Sequence, residues 1–95
     1  MIDEKYIIRI REILQKHLAK DERIFVFGSS VESEHFGDID LAIISDNPET
    51  DKAIYRIKYD LEESNLPYKF DVININKTKD SFRARVLNGP KLWII

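Results

Sequence analysis

The chain has 95 residues, 43% of them hydrophobic and 34% charged, with 15 Lys and Arg against 17 Asp and Glu for a net charge of −2. That length holds one domain and one core, burying roughly 60 to 70% of the unfolded surface, and Gly and Pro are too scarce for a disordered tract. The lack of Cys excludes disulfides and thiolate metal sites, the interleaved charges disfavour broad nucleic-acid binding, and with no signal peptide or membrane span a cytoplasmic protein is expected.

From Asp3 to Leu18 the residues Tyr6, Ile7, Ile10, Ile13, Leu14 and His17 recur at three- and four-residue spacing between charged neighbours, which predicts an amphipathic helix. Arg23 to Phe27 is β-branched and aromatic with little alternation, as in a strand covered on both faces. Gly28-Ser29 then turns the chain into a short helix reaching about Glu34, and His35-Phe36-Gly37 leads into a second strand over Asp38–Ser45. Asn47 is an expected N-cap with Pro48 at the first helical position and Glu49 and Asp51 in the first turn. Ala53, Ile54, Ile57 and Leu61 give this helix its buried stripe, with Tyr55 a further candidate, and Asn65-Leu66-Pro67 closes it. Tyr68 to Ile75 reads as a third strand with Phe70, Val72 and Asn74 on one face and Lys69, Asp71, Ile73 and Ile75 on the other. A last helix opens at Thr78 or Lys79-Asp80 and runs through Leu87, stopped by Asn88-Gly89-Pro90. The tail Lys91 to Ile95 is apolar. The alternation of helices and strands predicts a two-layer α/β (α+β) domain spanning 1–95, without a repeat or linker.

Three carboxylates and one turn carry chemical interest. Asp38 and Asp40, at i and i+2 of a strand, leave the same face about 6.6 Å apart. At an effective dielectric near 20 they repel by roughly 2.5 kcal/mol, enough to raise one pKa. Either solvent at a strand end or a hard divalent cation would relieve that repulsion. Asp71 lies early in another strand on an apolar background, where it is either ion-paired to Lys69 or Arg23 or brought by sheet pairing beside the first two. Three converging carboxylates could hold two Mg²⁺ ions about 3.5 to 4 Å apart. Gly28 permits a tight turn and a close backbone approach to a ligand, and Ser29 adds a hydroxyl donor. The turn has neither the P-loop nor the dinucleotide-binding glycine pattern. Lys69, Lys77, Lys79, Arg83 and Arg85 could face a triphosphate or RNA, or simply solvent. His35 reads as a solvated loop residue, and the tyrosines and Trp93 as core or interface.

Phe27-Gly28-Ser29, Gly37-Asp38-Ile39-Asp40-Leu41-Ala42-Ile43 and Phe70-Asp71-Val72-Ile73 together resemble the minimal nucleotidyltransferases of the DNA polymerase beta superfamily. The stretch from Phe82 to Trp93 is similar to that family's last helix and its glycine-containing exit. The resemblance implies a mixed sheet, a nucleoside triphosphate held by Gly28, Ser29 and Ser30, and Mg²⁺ held by Asp38, Asp40 and Asp71. In that scheme AMP passes from ATP to a hydroxyl acceptor, with Asp71 helping to deprotonate it. It also implies an antitoxin role beside a helical HEPN-domain toxin, whose tyrosine would be the acceptor. A catalytically weak module that neutralises the toxin by binding, or a transferase acting on a small molecule, are the alternatives. Where a basic residue often follows the Gly-Ser pair this chain has Ser30, the loop to Asp38 carries Glu32 and Glu34, and Gly37 stands where a Ser is common. Less positive charge therefore faces a triphosphate. The apolar tail and the outer side of the first helix are candidate partner surfaces, and homo-oligomers are compatible with the sequence.

Overall fold

A computed structural model describes residues 2–95. Helix α1 (Glu4–Gln15) begins where the Asp3 carboxylate accepts from the Lys5 backbone N–H, and it buries Ile10, Ile13 and Leu14. It stops short of Leu18, so His17 lies beyond the helix, where its Nε2 is 2.6 Å from Oδ2 of Asp60. Strand β1 (Arg23–Phe27) follows, then a single helical turn, α2 (Ser29–Glu32), and strand β2 (Asp38–Ile44). Because so short a connection returns the chain directly, β1 and β2 pair antiparallel, with Phe27 opposite Asp40.

Helix α3 (Thr50–Glu62) starts later than Asn47-Pro48 suggests. The Asn47 side chain accepts from the backbone N–H of Glu49, forming a turn ahead of the helix, and Thr50 is drawn inward to bond Ser45 and Glu22. Ile57 and Leu61 are buried and Ala53 and Ile54 half-buried as the periodicity requires, but Tyr55 is 78% exposed and is not part of the stripe. Asn65, with φ 64°, turns the chain after the helix in a left-handed conformation that Asn tolerates.

As a crossover, α3 delivers strand β3 (Lys69–Asn74) parallel to β2. A 3₁₀ turn (Ile75–Lys77) and helix α4 (Asp80–Asn88) complete the helices. The tail is not a free apolar surface. Leu92–Trp93 forms strand β4, antiparallel to β1, and the Ile94 and Ile95 amides both donate to the Ile24 carbonyl. Ile94 is buried, and its carbonyl accepts from Nε of Arg11. Edge-to-face packing of Trp93 on Phe25, and Arg23 lying over the indole, hold the strand in place.

The sheet is therefore mixed, in the order β3-β2-β1-β4. One face packs Ile24, Val26, Ile39, Leu41, Ile43 and Val72 against α1 and α3. The other packs Phe25, Ala42 and Ile75 against Val86 of α4. No helix among the described residues is long and apolar enough to cross a membrane.

Candidate active site

The end of the sheet where β1 finishes and β2 and β3 begin gathers the acidic residues. Strand alternation sends Ile39, Leu41 and Ile43 into the α1/α3 core, so Asp38 and Asp40 leave on the α4 face with Ala42. The same alternation puts Phe70 and Val72 on one side of β3, and Asp71 with Ile73 on the other. Parallel pairing sets Asp40 directly beside Asp71 and Asp38 beside Lys69. All three carboxylates thus belong to one face and one end of the sheet.

Their environments differ. Asp38 and Asp71 are exposed, whereas Asp40 is half-buried between β1 and β3. Burial, and then the nearby charges of Asp71 and Asp38, push the Asp40 carboxyl above its ordinary range. The partner of Asp71 is neither Lys69 nor Arg23 but Lys58, whose Nζ lies 3.9 Å from Oδ1. This lysine belongs to α3, on the far face, and reaches Asp71 at the outermost strand of the sheet. Nothing in the sequence periodicity marks it.

Gly28 is fitted closely against this group. Its φ of 80° favours glycine, and a Cβ built there would sit 2.6 Å from Oδ2 of Asp40. The absent side chain is the space the Asp40 carboxylate uses. Beyond Gly28, Ser29 is exposed and free to meet a ligand, while Ser30 is only 2% exposed with its Oγ buried and unpartnered. The two serines, equal candidates in sequence, are unequal in place.

No group of three or more His, Cys, Asp or Glu among the described residues is arranged to hold a metal ion. The donor set still suits one: two strand-paired carboxylates and a third on the same face offer hard oxygen ligands, and the charge repulsion on Asp40 is what a divalent cation would relieve. A cleft of about 280 Å³ opens from Gly28 toward α4, walled by Phe27 and Phe82 and carrying Glu32 and Arg85. The sequence names Arg85 only as one of five scattered cations, and it does not indicate that the aromatic pair forms a wall.

The profile of the Polymerase beta nucleotidyltransferase family matches residues 9–94. The chain belongs to this family. Over 76 residues it is 37% identical to the probable protein adenylyltransferase MntA of Haemophilus influenzae, a match covering 78% of this chain and 66% of that protein. The chain thus spans just under two thirds of that relative's length. Two solved structures share the fold over 99% of this chain and 73% of theirs. A toxin–antitoxin crystal structure with AMP-PNP superposes with a TM-score of 0.73 at 18% identity. A mutant toxin–antitoxin MntA–HpeT structure superposes with a TM-score of 0.72 at 16% identity. The family's mixed sheet is the one described above, with the tail strand completing it.

Proposed function

We propose that the chain is a Mg²⁺-dependent nucleotidyltransferase that moves AMP from ATP to a hydroxyl acceptor, a tyrosine of a HEPN-type toxin partner that it opposes in the cytoplasm. The observation that carries this reading is the position of Asp40, wedged between Gly28 and Asp71 and charged against its own neighbours. A half-buried carboxylate beside two like charges is what a bound cation would offset, and the exposed Ser29 and the open cleft beside Gly28 support a nucleotide at this turn. The name of the Haemophilus relative and the AMP-PNP in one structural neighbour support an adenine nucleotide and a toxin partner.

Asp38, Asp40 and Asp71 would hold Mg²⁺, which when bound neutralises phosphate charge and favours the departing pyrophosphate. Ser29 and the Gly28 backbone bind the phosphates. The acceptor oxygen bonds to the α-phosphorus while the bond from that phosphorus to the bridging oxygen of the β-phosphate breaks. The acceptor's hydroxyl proton passes to Asp71, whose exposed carboxylate stands beside Asp40 on the open face. Products are the adenylylated acceptor and pyrophosphate.

A second reading, neutralisation of the toxin by binding alone, is favoured by the Lys58 contact to Asp71, which sets a cation of the chain itself beside a carboxylate the metal would use. The two part in one experiment. With labelled ATP, Mg²⁺ and the co-purified helical partner, label should enter the partner and disappear with Asp40→Ala. Neutralisation of the partner without any transfer by the intact chain would favour the binding reading.

A further inference from the structure

We propose that Arg85 of α4 supplies the positive charge that holds the nucleotide's phosphate chain at the Gly28 turn. This rests on the nucleotidyl-transfer reading above and assigns the counter-charge that the sequence leaves out. After Gly28-Ser29 the chain offers Ser30, Val31 and Glu32, none of them cationic. A triphosphate there requires a cation from elsewhere in the fold.

Of the other basic residues near this end, Lys69 stands beside Asp38 on β3 and Lys79 precedes α4, and neither lines the cleft; the rest are occupied. Arg83 donates from Nε to the Ile75 carbonyl at 3.2 Å and from a terminal nitrogen to the Thr78 carbonyl at 2.8 Å, and it also pairs with Asp80. It fastens α4 to the preceding 3₁₀ turn. Lys77 is paired with Asp51, Lys58 with Asp71, and Lys91 donates to the Leu87 and Gly89 carbonyls at the end of α4. Among the described residues Arg85 has neither an ion pair nor a side-chain hydrogen bond, yet it lines the cleft that Gly28 also lines. Its guanidinium carbon lies 5.5 Å from the centroid of the Phe82 ring, so a cation–π contact orients the planar fork while leaving its donors unused. A guanidinium in that state suits bidentate contact with phosphate oxygens.

Position completes the argument. Gly28 is shared: one side abuts the Asp40 carboxylate and the other forms the cleft wall. A phosphate chain running from Asp40 past Gly28 therefore enters the space beside Arg85. Glu32 lines the same space without an ion pair to Arg85, so it opposes anion binding. The two residues should act with opposite sign.

Calorimetric titration of the full chain with Mg²⁺·AMP-PNP and, separately, with Mg²⁺·tripolyphosphate tests this. Arg85→Gln is expected to weaken both by about 10- to 100-fold, the range of a lost charge-assisted hydrogen-bond pair. Arg85→Lys should fall between Arg85→Gln and wild type, and Glu32→Gln should tighten both. Because Arg85 is exposed, melting temperatures should stay together. Wild-type affinity for both ligands in Arg85→Gln would overturn the inference and leave the nucleotidyl reading standing. Loss of AMP-PNP with tripolyphosphate unaffected would also overturn it, by moving Arg85 to the nucleoside. A wild-type chain that binds neither ligand removes both readings.

Discussion

Two glycines flank the acidic site, and their surroundings set different demands. At Gly28 a Cβ meets Oδ2 of Asp40 at 2.6 Å in a backbone with φ 80°, whereas at Gly37 nothing lies within 4 Å of a Cβ. Gly28→Ala should therefore cost roughly 1–3 kcal/mol from backbone strain alone and displace the Asp40 carboxylate as well, so nucleotidyl transfer should fall much further than stability. Gly37→Ala should change stability by less than about 0.5 kcal/mol and leave transfer near wild type. Urea melts beside initial rates on the two variants check the contrast. If Gly28→Ala loses stability and keeps full activity, the close packing on Asp40 has no catalytic meaning. The same geometry explains why Gly37 in place of a serine is harmless to the fold: the position is open, and any side chain there would meet solvent.

Among the elements, the strands of the core were legible and the boundaries set by side-chain hydrogen bonds were not. Arg23–Phe27 and Asp38–Ile44 follow from runs of Ile, Val and Phe that no helix period fits. The start of α3 does not, because it depends on Thr50 reaching Glu22, 28 residues earlier. The tail strand leaves no mark in the sequence because two residues of ladder carry no periodicity, and only the open edge of β1 reveals where they dock. Glu22 is the centre of the hidden contact between β1 and α3. It is 5% exposed, it accepts from the Ala19 backbone N–H at 2.7 Å, and it accepts from the Thr50 hydroxyl at 2.7 Å. Burial alone would raise its pKa, but hydrogen bonds from Ser45, Ala19 and Thr50 together outweigh that and hold it below the usual 4.5. A carboxyl with a depressed folded-state pKa contributes stability above its unfolded pKa and loses it as pH falls through the folded value. The contribution is thus present at neutral pH and fades below about pH 4.5. Glu22→Gln keeps one acceptor, loses the charge, and is expected to cost about 1–3 kcal/mol at pH 7. Its disadvantage should shrink on acidification, so melts of both proteins across pH 3 to 7 should converge at the acid end.

For the molecule as a whole, the sheet order turns separate motifs into a site. Sequence spacing alone put Asp38 and Asp40 on one face, but only the parallel register of β2 with β3 brings Asp71 beside Asp40. Neither Lys58 nor the cleft under α4 is legible in the sequence, since both depend on how helices distant from the residues they meet fold over the sheet edge and face. The charge gathered at this end has a cost that links stability to ligand binding. Because Asp40 has a raised folded-state pKa, it favours the fold most when protonated, below its unfolded pKa, and that advantage is lost as pH rises through the folded value. At pH 7 without ligand, Asp40→Asn should therefore be at least as stable as wild type. With Mg²⁺·AMP-PNP the order should reverse. A ligand at tenfold its Kd adds about 1.4 kcal/mol to the native state, several degrees in Tm for a domain of this size, and only the wild type keeps the carboxylate that offsets the metal's charge. Thermal melts of the two proteins with and without Mg²⁺·AMP-PNP measure this directly. A wild-type Tm that Mg²⁺·AMP-PNP leaves unmoved, or an equal rise in Asp40→Asn, would mean that the half-buried carboxylate of Asp40 is not where the ligand's charge is met.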